Sequence, residues 1–171
     1  MKTWVVLLRA VNVGGTGKLP MADLRVLCER AGFADVRTYI ASGNVVLRSR
    51  ADEKQVKAKL EAALAVYAGK PVGVMVRSGA ELVEVLAANP FADAAPNRVV
   101  VLFLDEAPAA DAARTAKHRN GERIALGKRE IYVDYSDCGG MGQSKLQLPA
   151  AKHGTGRNLN TVAKLAEMAA A

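Results

Sequence analysis

The chain of 171 residues has few aromatic side chains, two cysteines, two histidines and no long apolar run. Aromatic residues make up 5% of the chain, which leaves few rings for stacking on nucleic-acid bases. Cys28 and Cys138 form no CxxC pair and no disulfide framework, and the two unclustered histidines give no zinc-site spacing. No apolar stretch approaches the ~20 residues of a membrane-spanning helix, so we expect no membrane partner.

The N-terminal residues are typical of a buried strand. Lys2 precedes a short apolar run that Arg9 interrupts, and no small-residue cleavage site follows, so the pattern does not match a secretory signal. We therefore expect a cytoplasmic protein. Half of the residues are hydrophobic, which is enough for a packed core, and the length suits one domain or two very small ones.

Positive charge is concentrated in the first part of the chain. The formal net charge is +7, and residues 1–78 hold 13 basic and 6 acidic side chains, whereas residues 79–171 hold 11 of each. Such an excess favours an anionic partner, whether nucleic acid, phosphate or an acidic metabolite. A role in solubility alone is the alternative.

The hydrophobic pattern of residues 1–78 predicts the order β-α-β-β-α-β, which is the ferredoxin-like arrangement. The predicted elements are a strand over residues 2–9, a helix from Pro20 to Gly32, strands over 36–41 and 45–48, a helix over 52–68 and a strand over 71–77. The first strand is apolar throughout rather than alternating, so we expect both of its faces to be buried.

Residues 79–171 predict a similar order without a clear last strand. The predicted elements are a helix over residues 79–88 opened by a capping box, a strand over 97–105, an alanine-rich helix over 108–118, hairpin strands over 122–126 and 130–135, and a final helix over 158–169. We therefore predict an α+β fold of two ferredoxin-like halves, 1–78 and 79–171, packed together as one compact protein.

The glycine-rich loop after the first strand is one candidate anion site. Its candidate residues are Asn12, Gly14, Gly15 and Lys18, because turned backbone N–H groups and a lysine at a helix start attract anions. The loop is not a P-loop, since a leucine follows Lys18 where Ser or Thr would hold magnesium, and Pro20 occupies the last position of GxGxxG. A flexible connection that uses glycine for positive φ is the alternative.

Two other polar stretches are candidates. Ser42, Gly43 and Asn44 are most simply a hairpin turn, although their side chains would line a site if the turn faces the first loop. Arg157 near a helix N-terminus is a good anion receptor, while Asn158 or Thr155 could equally serve only as the helix N-cap. The sequence shows no paired-carboxylate, Ser–His–Asp, Cys–His or metal constellation, so it identifies no catalytic residue and no cofactor.

The same stretches resemble a known family. They are LLRAVNVGG at residues 7–15, KLPM at 18–21, TYIASGNVV at 38–46, SKL at 144–146 and TGRNLNTVAKL at 155–165. Together they are similar to the bacterial domain-of-unknown-function 1697 family, although many members carry Trp where this chain has Leu159. The resemblance spans essentially the whole chain. It implies two α+β halves and no established activity, substrate or cofactor.

These observations lead to one main hypothesis, the binding of a small phosphorylated or carboxylated ligand where the three polar stretches converge. The candidate ligand-binding residues are Arg9, Asn12, Gly14, Gly15, Lys18, Ser42, Gly43, Asn44, Lys145, Arg157, Asn158, Asn160 and Thr161. Whether the protein is an enzyme, and how it oligomerises, is not indicated by the sequence.

Two alternatives stay open. The first is nucleic-acid binding through a basic stripe of Arg25, Arg30, Arg37, Arg48, Arg50, Lys54 and Lys57, with an affinity that falls steeply with salt. The second is a non-catalytic oligomerising protein in which the polar motifs only cap helices and turn the chain.

Overall fold

Two four-stranded antiparallel sheets organise the chain, one in each of two units. The computed structural model describes residues 1–10 and 18–171. Unit 1 comprises Met1–Leu82 and Leu165–Ala171, and unit 2 comprises Val83–Lys164. Within the described residues, no helix is long and apolar enough to cross a membrane.

Unit 1 has the predicted order of strands and helices. Its elements are β1 (Lys2–Leu8), α1 (Met21–Arg30), β2 (Ala34–Tyr39), β3 (Asn44–Ser49), α2 (Glu53–Ala68) and β4 (Val74–Ser78). The sheet order is β2-β3-β1-β4, and every neighbouring pair is antiparallel. β1 is an inner strand whose Val5, Val6 and Leu7 have no exposed surface, so burial of both strand faces is confirmed.

The ends of α2 show why this segment is helical. Asp52 and Gln55 form a capping box, in which Gln55 N donates to Asp52 Oδ1 at 2.8 Å and Asp52 N donates to Gln55 Oε1 at 3.0 Å. Gly69 ends the helix in the left-handed conformation, where a residue with a side chain would be strained. The core-facing residues Val56 and Leu60 lie one turn apart, which fixes the rotation of the helix against the sheet.

Unit 2 is built on the second sheet, with strand order β6-β7-β5-β8. Its strands are β5 (Val99–Phe103), β6 (Arg123–Leu126), β7 (Glu130–Asp134) and β8 (Thr155–Asn158), and short 3₁₀ turns occupy Pro96–Arg98, Ala112–Thr115, Ser136–Cys138, Met141–Gln143 and Pro149–Ala151. The helices α3 (Gly79–Ala87) and α4 (Leu159–Ala170) each contain a boundary between the units. The predicted capping box of α3 is confirmed, because Glu81 N donates to Ser78 Oγ at 3.1 Å and Ser78 N donates to Glu81 Oε1 at 3.0 Å.

The prediction that the second half lacks a last strand is wrong. Thr155–Asn158 forms β8, which pairs antiparallel with β5 and places Arg157 opposite Val101. Glycine, arginine and asparagine are weak strand formers, so the local sequence hides this element. The strand forms because the backbone groups along that side of β5 need partners when they are buried.

The predicted helix over residues 108–118 is also wrong. The structure has only a 3₁₀ turn at Ala112–Thr115, and Lys117 then pairs with Gln147 through two backbone hydrogen bonds of 2.8 and 2.9 Å. Alanine favours a helix intrinsically, but this pairing requires an extended chain at Lys117, and tertiary contacts outweigh propensity.

Candidate functional site

The residues predicted to bind a ligand fall in both units, and each group is described within its own unit. Arg9, Lys18, Ser42, Gly43 and Asn44 belong to unit 1, and Lys145, Arg157, Asn158, Asn160 and Thr161 belong to unit 2. Asn12, Gly14 and Gly15 lie outside the described residues. The site predicted from these residues therefore stays a prediction.

The polar side chains of the hairpin turn hold the turn itself. Asn44 is fully buried, and its Nδ2 donates to the Tyr39 carbonyl at 2.8 Å and to Ser42 Oγ at 2.9 Å. Gly43 has a φ of +89°, and its carbonyl accepts a hydrogen bond from Leu8 N at 2.8 Å. The interpretation of this stretch as a hairpin turn is confirmed.

The two unit 1 cations of the predicted site differ in their surroundings. Arg9 is half-buried, and its methylene groups pack over Gly73. Lys18 is exposed, directly before the buried Leu19 and the start of α1. Lys18 is therefore the more exposed of the two side chains.

The TGRN motif is β8, and its glycine is explained by packing. A Cβ atom on Gly156 would lie 3.0 Å from Leu102 Cδ2 and 3.1 Å from Val100 Cγ1, closer than side chains normally approach. Asn158 follows as the cap of α4, since Thr161 N donates to Asn158 Oδ1 at 2.9 Å. Asn160 is exposed and Thr161 is buried. The sequence correctly raised capping as one role of Asn158.

Arg157 is a buried cation in unit 2. Only 7% of the residue is exposed, and its Nη1 donates to Thr155 Oγ1 at 2.7 Å and to the Gly156 carbonyl at 2.9 Å. Burial lowers the pKa of the guanidinium to about 10, which still leaves it protonated at neutral pH. Arg157 therefore lies on a strand two residues before α4, and not at the helix N-terminus itself.

The SKL motif fixes a loop through a buried carboxylate. Glu122 is 1% exposed, and it accepts hydrogen bonds from Ser144 Oγ and from Asn120 N. Ser144 Oγ also accepts a hydrogen bond from Leu146 N at 3.1 Å. The hydroxyl donor lowers the pKa of Glu122, with smaller contributions from backbone donors, against the opposing effect of burial. Lys145 is exposed, so in this motif it is the serine that has a visible structural role.

Neither cysteine is placed as a nucleophile. Cys28 is fully buried on α1, and burial together with the nearby Glu29 raises its thiol pKa to about 12. The Cys138 thiol donates to the carbonyls of Tyr135 at 3.3 Å and Gly140 at 3.6 Å. Within the described ranges, no group of three His, Cys, Asp or Glu side chains is arranged to hold a metal ion.

A cavity of about 710 Å³ opens in unit 1, and we call it the arginine cavity. Its polar lining residues are Thr3, Arg25, Glu29, Asp35, Arg37 and Arg48, and its other lining residues are Val36 and the alanines at 169–171. Three guanidinium groups and two carboxylates therefore face one space. This cavity contains none of the residues predicted to bind the small ligand.

Two of the three arginines in this cavity have a carboxylate neighbour. Arg25 Nε lies 3.6 Å from Glu29 Oε1, one helical turn away, and Arg48 Nη1 lies 3.4 Å from Asp35 Oδ2. All four of these side chains are at least 46% exposed. Arg37 on β2 is half-buried, and within the described part of the chain it forms neither an ion pair nor a side-chain hydrogen bond.

An irregularity in β2 positions the acidic residue of this group. The register between β2 and β3 shifts between Ala34 and Arg37, as in a β-bulge, and Asp35 there has a φ of +49°. A bulge turns a side chain away from its regular direction, and aspartate tolerates the left-handed conformation better than most residues. The register shift therefore lies within the part of β2 that lines the cavity, and Asp35 and Arg37 are both among the lining residues.

Sequence reasoning missed this cavity as a small-ligand site, although one signal pointed to it. Arg25, Arg37 and Arg48 belong to the basic stripe proposed for nucleic-acid binding, and they lie in the part of the chain that carries the excess charge. Their spacing matches no ligand-binding motif, because α1, β2 and β3 each contribute one arginine.

Comparisons with known proteins agree with this architecture. The structure is similar to that of the conserved bacterial protein SP0830 from Streptococcus pneumoniae, with a TM-score of 0.79, 27% sequence identity and coverage of 98% of both chains. No curated protein matches the sequence. The model of the protein family of unknown function DUF1697 matches residues 1–132, which is more than three quarters of the chain. The chain therefore belongs to the DUF1697 family.

Proposed function

We propose that this protein binds a small anionic ligand, phosphorylated or carboxylated, and that the arginine cavity of unit 1 is its site. The observation that carries the proposal is Arg37, a half-buried cation that faces the cavity and has no carboxylate partner in the described part of the chain. A guanidinium offers a planar fork of N–H donors that matches the oxygens of a carboxylate or a phosphate.

The internal carboxylates compete only weakly with such a ligand. The 3.6 Å contact between Arg25 and Glu29 is too long for a hydrogen bond, and the 3.4 Å contact between Arg48 and Asp35 is a long one. Exposed ion pairs of this kind contribute about 0.2–1 kcal/mol. These weak contacts leave guanidinium N–H groups of Arg25 and Arg48 available to a ligand anion.

Titration calorimetry of the full chain with inorganic phosphate, at an ionic strength held constant with chloride, tests the proposal. We expect phosphate to bind and Arg37→Gln to weaken binding about tenfold, the lower end of the range for a hydrogen bond to a charged group. Arg30→Gln is the matched control, because Arg30 is exposed on α1 and does not line the cavity. Equal affinities of the Arg37→Gln and Arg30→Gln proteins would refute the assignment of the site.

Nucleic-acid binding through the basic stripe is separated from this proposal by a second titration. If a long basic stripe binds an oligonucleotide, the affinity should fall steeply as the salt concentration rises. That affinity should depend equally on basic residues inside and outside the cavity. If an oligonucleotide binds and Lys54→Gln lowers its affinity as much as Arg37→Gln does, the stripe is the functional surface and the cavity proposal is wrong.

Other sequence-based assignments also continue as proposals. The site predicted around the glycine-rich loop and Arg157 is tested by an Arg157→Gln variant in the phosphate titration, with circular dichroism to verify folding. The sheet order β2-β3-β1-β4 supports the proposed ferredoxin-like classification of unit 1. A cytoplasmic location stays a prediction.

A further inference from the structure

We infer that the ligand of the arginine cavity is a phosphorylated sugar or another phosphorylated polyol. The inference rests on the proposed function, because it assumes that the cavity binds an anion. It adds a chemical class for the rest of the ligand, beyond the anionic group that the arginines bind.

The lining of the cavity argues against a ligand with an aromatic base. None of the described residues that line it is aromatic, and its apolar lining consists of Val36 and the alanines at 169–171. Stacking on an aromatic side chain contributes about 1–3 kcal/mol per base where proteins bind bases. A nucleotide would gain contacts to its phosphate and its ribose hydroxyls here, but its base would gain no stacking partner.

The two carboxylates favour a ligand that carries hydroxyl groups. An ionised carboxylate accepts about four hydrogen bonds and donates none. Asp35 uses only Oδ2 toward Arg48, and Glu29 uses only Oε1 toward Arg25, so each keeps an oxygen outside its ion pair. A ligand hydroxyl would donate to these oxygens, whereas a second anionic group on the ligand would be repelled by them. A lining that contains both acceptors and cations therefore matches a molecule with one anionic end and several hydroxyls.

The size of the cavity supports the same class. Ligand pockets for small molecules occupy roughly 300–1,000 Å³, and this cavity of about 710 Å³ lies within that range. A phosphate ion fills only a small part of such a space. A ligand of the size of a hexose phosphate would reach from the guanidinium groups to the Thr3 hydroxyl and the two carboxylates on the lining.

Four probes test the inference by titration calorimetry of the full chain at constant ionic strength: a hexose 6-phosphate, the unphosphorylated hexose, inorganic phosphate and adenosine 5′-monophosphate. We expect the hexose phosphate to bind at least tenfold more tightly than each of the other three. Equal affinity for hexose phosphate and inorganic phosphate overturns the inference and leaves the proposed function standing. Binding of none of the three phosphate-containing probes overturns both.

An Asp35→Asn variant gives a second, independent readout. Removal of the negative charge beside Arg48 is expected to tighten inorganic phosphate binding about two- to fivefold, the equivalent of a weak exposed ion pair. The preference for hexose phosphate over inorganic phosphate should fall at least threefold in the same variant, because an ionised acceptor is lost. Asp111→Asn is the control, since Asp111 is exposed in unit 2 and its side chain caps no turn. An unchanged preference in Asp35→Asn overturns the inference.

Discussion

Ser144 is the residue whose loss we expect to be most informative about stability, because it serves a buried charge. In Ser144→Ala, Glu122 keeps its backbone donor from Asn120 but loses the hydroxyl that donates to Oε2. With only 1% of Glu122 exposed, water does not simply replace that donor. A hydrogen bond to a charged group contributes about 1.5–3 kcal/mol, and we expect the free energy of unfolding to fall by that amount.

Urea denaturation followed by far-UV circular dichroism measures this loss, and thermal unfolding should show a decrease in Tm of roughly 3–12 °C for a chain of this size. Trp4 is the single tryptophan and lies in unit 1, so its fluorescence reports on the other unit. Lys145→Ala is the matched control, because it changes the neighbouring exposed residue of the same motif. We expect that control to stay within about 0.5 kcal/mol of the original protein.

A pH series and a double mutant identify the cause of the loss. The pKa of Glu122 is lowered in the folded protein from its ordinary value of 4.5, so the stabilisation is complete above that value and is lost as the pH falls through the lower folded pKa. The difference between Ser144→Ala and the original protein should therefore shrink as the pH falls below 4.5. If Ser144→Ala costs the same in a Glu122→Gln background as alone, the hydroxyl does not act through the carboxylate and the reasoning is wrong.

Three further predictions concern the TGRN motif of β8 and the two thiols. Asn158→Ala should lower the free energy of unfolding by about 1 kcal/mol through loss of the α4 cap, while the exposed Asn160→Ala changes it little in the same urea titration. Gly156→Val should lower it by about 1–3 kcal/mol, because its side chain would overlap Leu102 and Val100, and an effect below 0.5 kcal/mol would show that these neighbours move aside. In a reaction with a thiol reagent at pH 8, the half-buried Cys138 should be labelled in the native protein and Cys28 only after denaturation, since Cys28 is fully buried with a pKa of about 12. Labelling of Cys28 in the native protein, located by peptide mass, would contradict its placement.

Much of the fold follows from local sequence signals. A single sequence shows helix boundaries, because a cap acts through residues three or four apart. The examples here are the capping boxes Asp52 with Gln55 and Ser78 with Glu81, and the terminal Gly69. β8 and the segment around Lys117 could not be predicted in this way. β8 depends on pairing with β5, and Lys117 depends on a bridge to Gln147, so each needs a partner distant in sequence, and their own residues favour other conformations.

The candidate sites divide along the same line. The hairpin turn at Asn44 was the simplest interpretation of the sequence, and capping by Asn158 was one of its alternatives, since both residues act within five residues of the chain. The arginine cavity was not foreseen as a pocket, because it joins residues from α1, three strands and the C-terminal end of α4. The charge count places the excess of basic residues in residues 1–78, which include the three arginines of the cavity. Only packing brings Arg25 and Arg37 to one cavity.

The bulge in β2 also affects what can happen along the side of its sheet. β2 is the outermost strand on one side of the unit 1 sheet, and such a strand offers a backbone template to which another chain can add. The register shift between Ala34 and Arg37 interrupts that template, and Asp35 and Arg37 add charge beside it. The bulge that borders the cavity thus also protects the protein from strand-to-strand aggregation. A variant that restores a regular, uncharged β2 would therefore be a poor choice for crystallisation or high-concentration work.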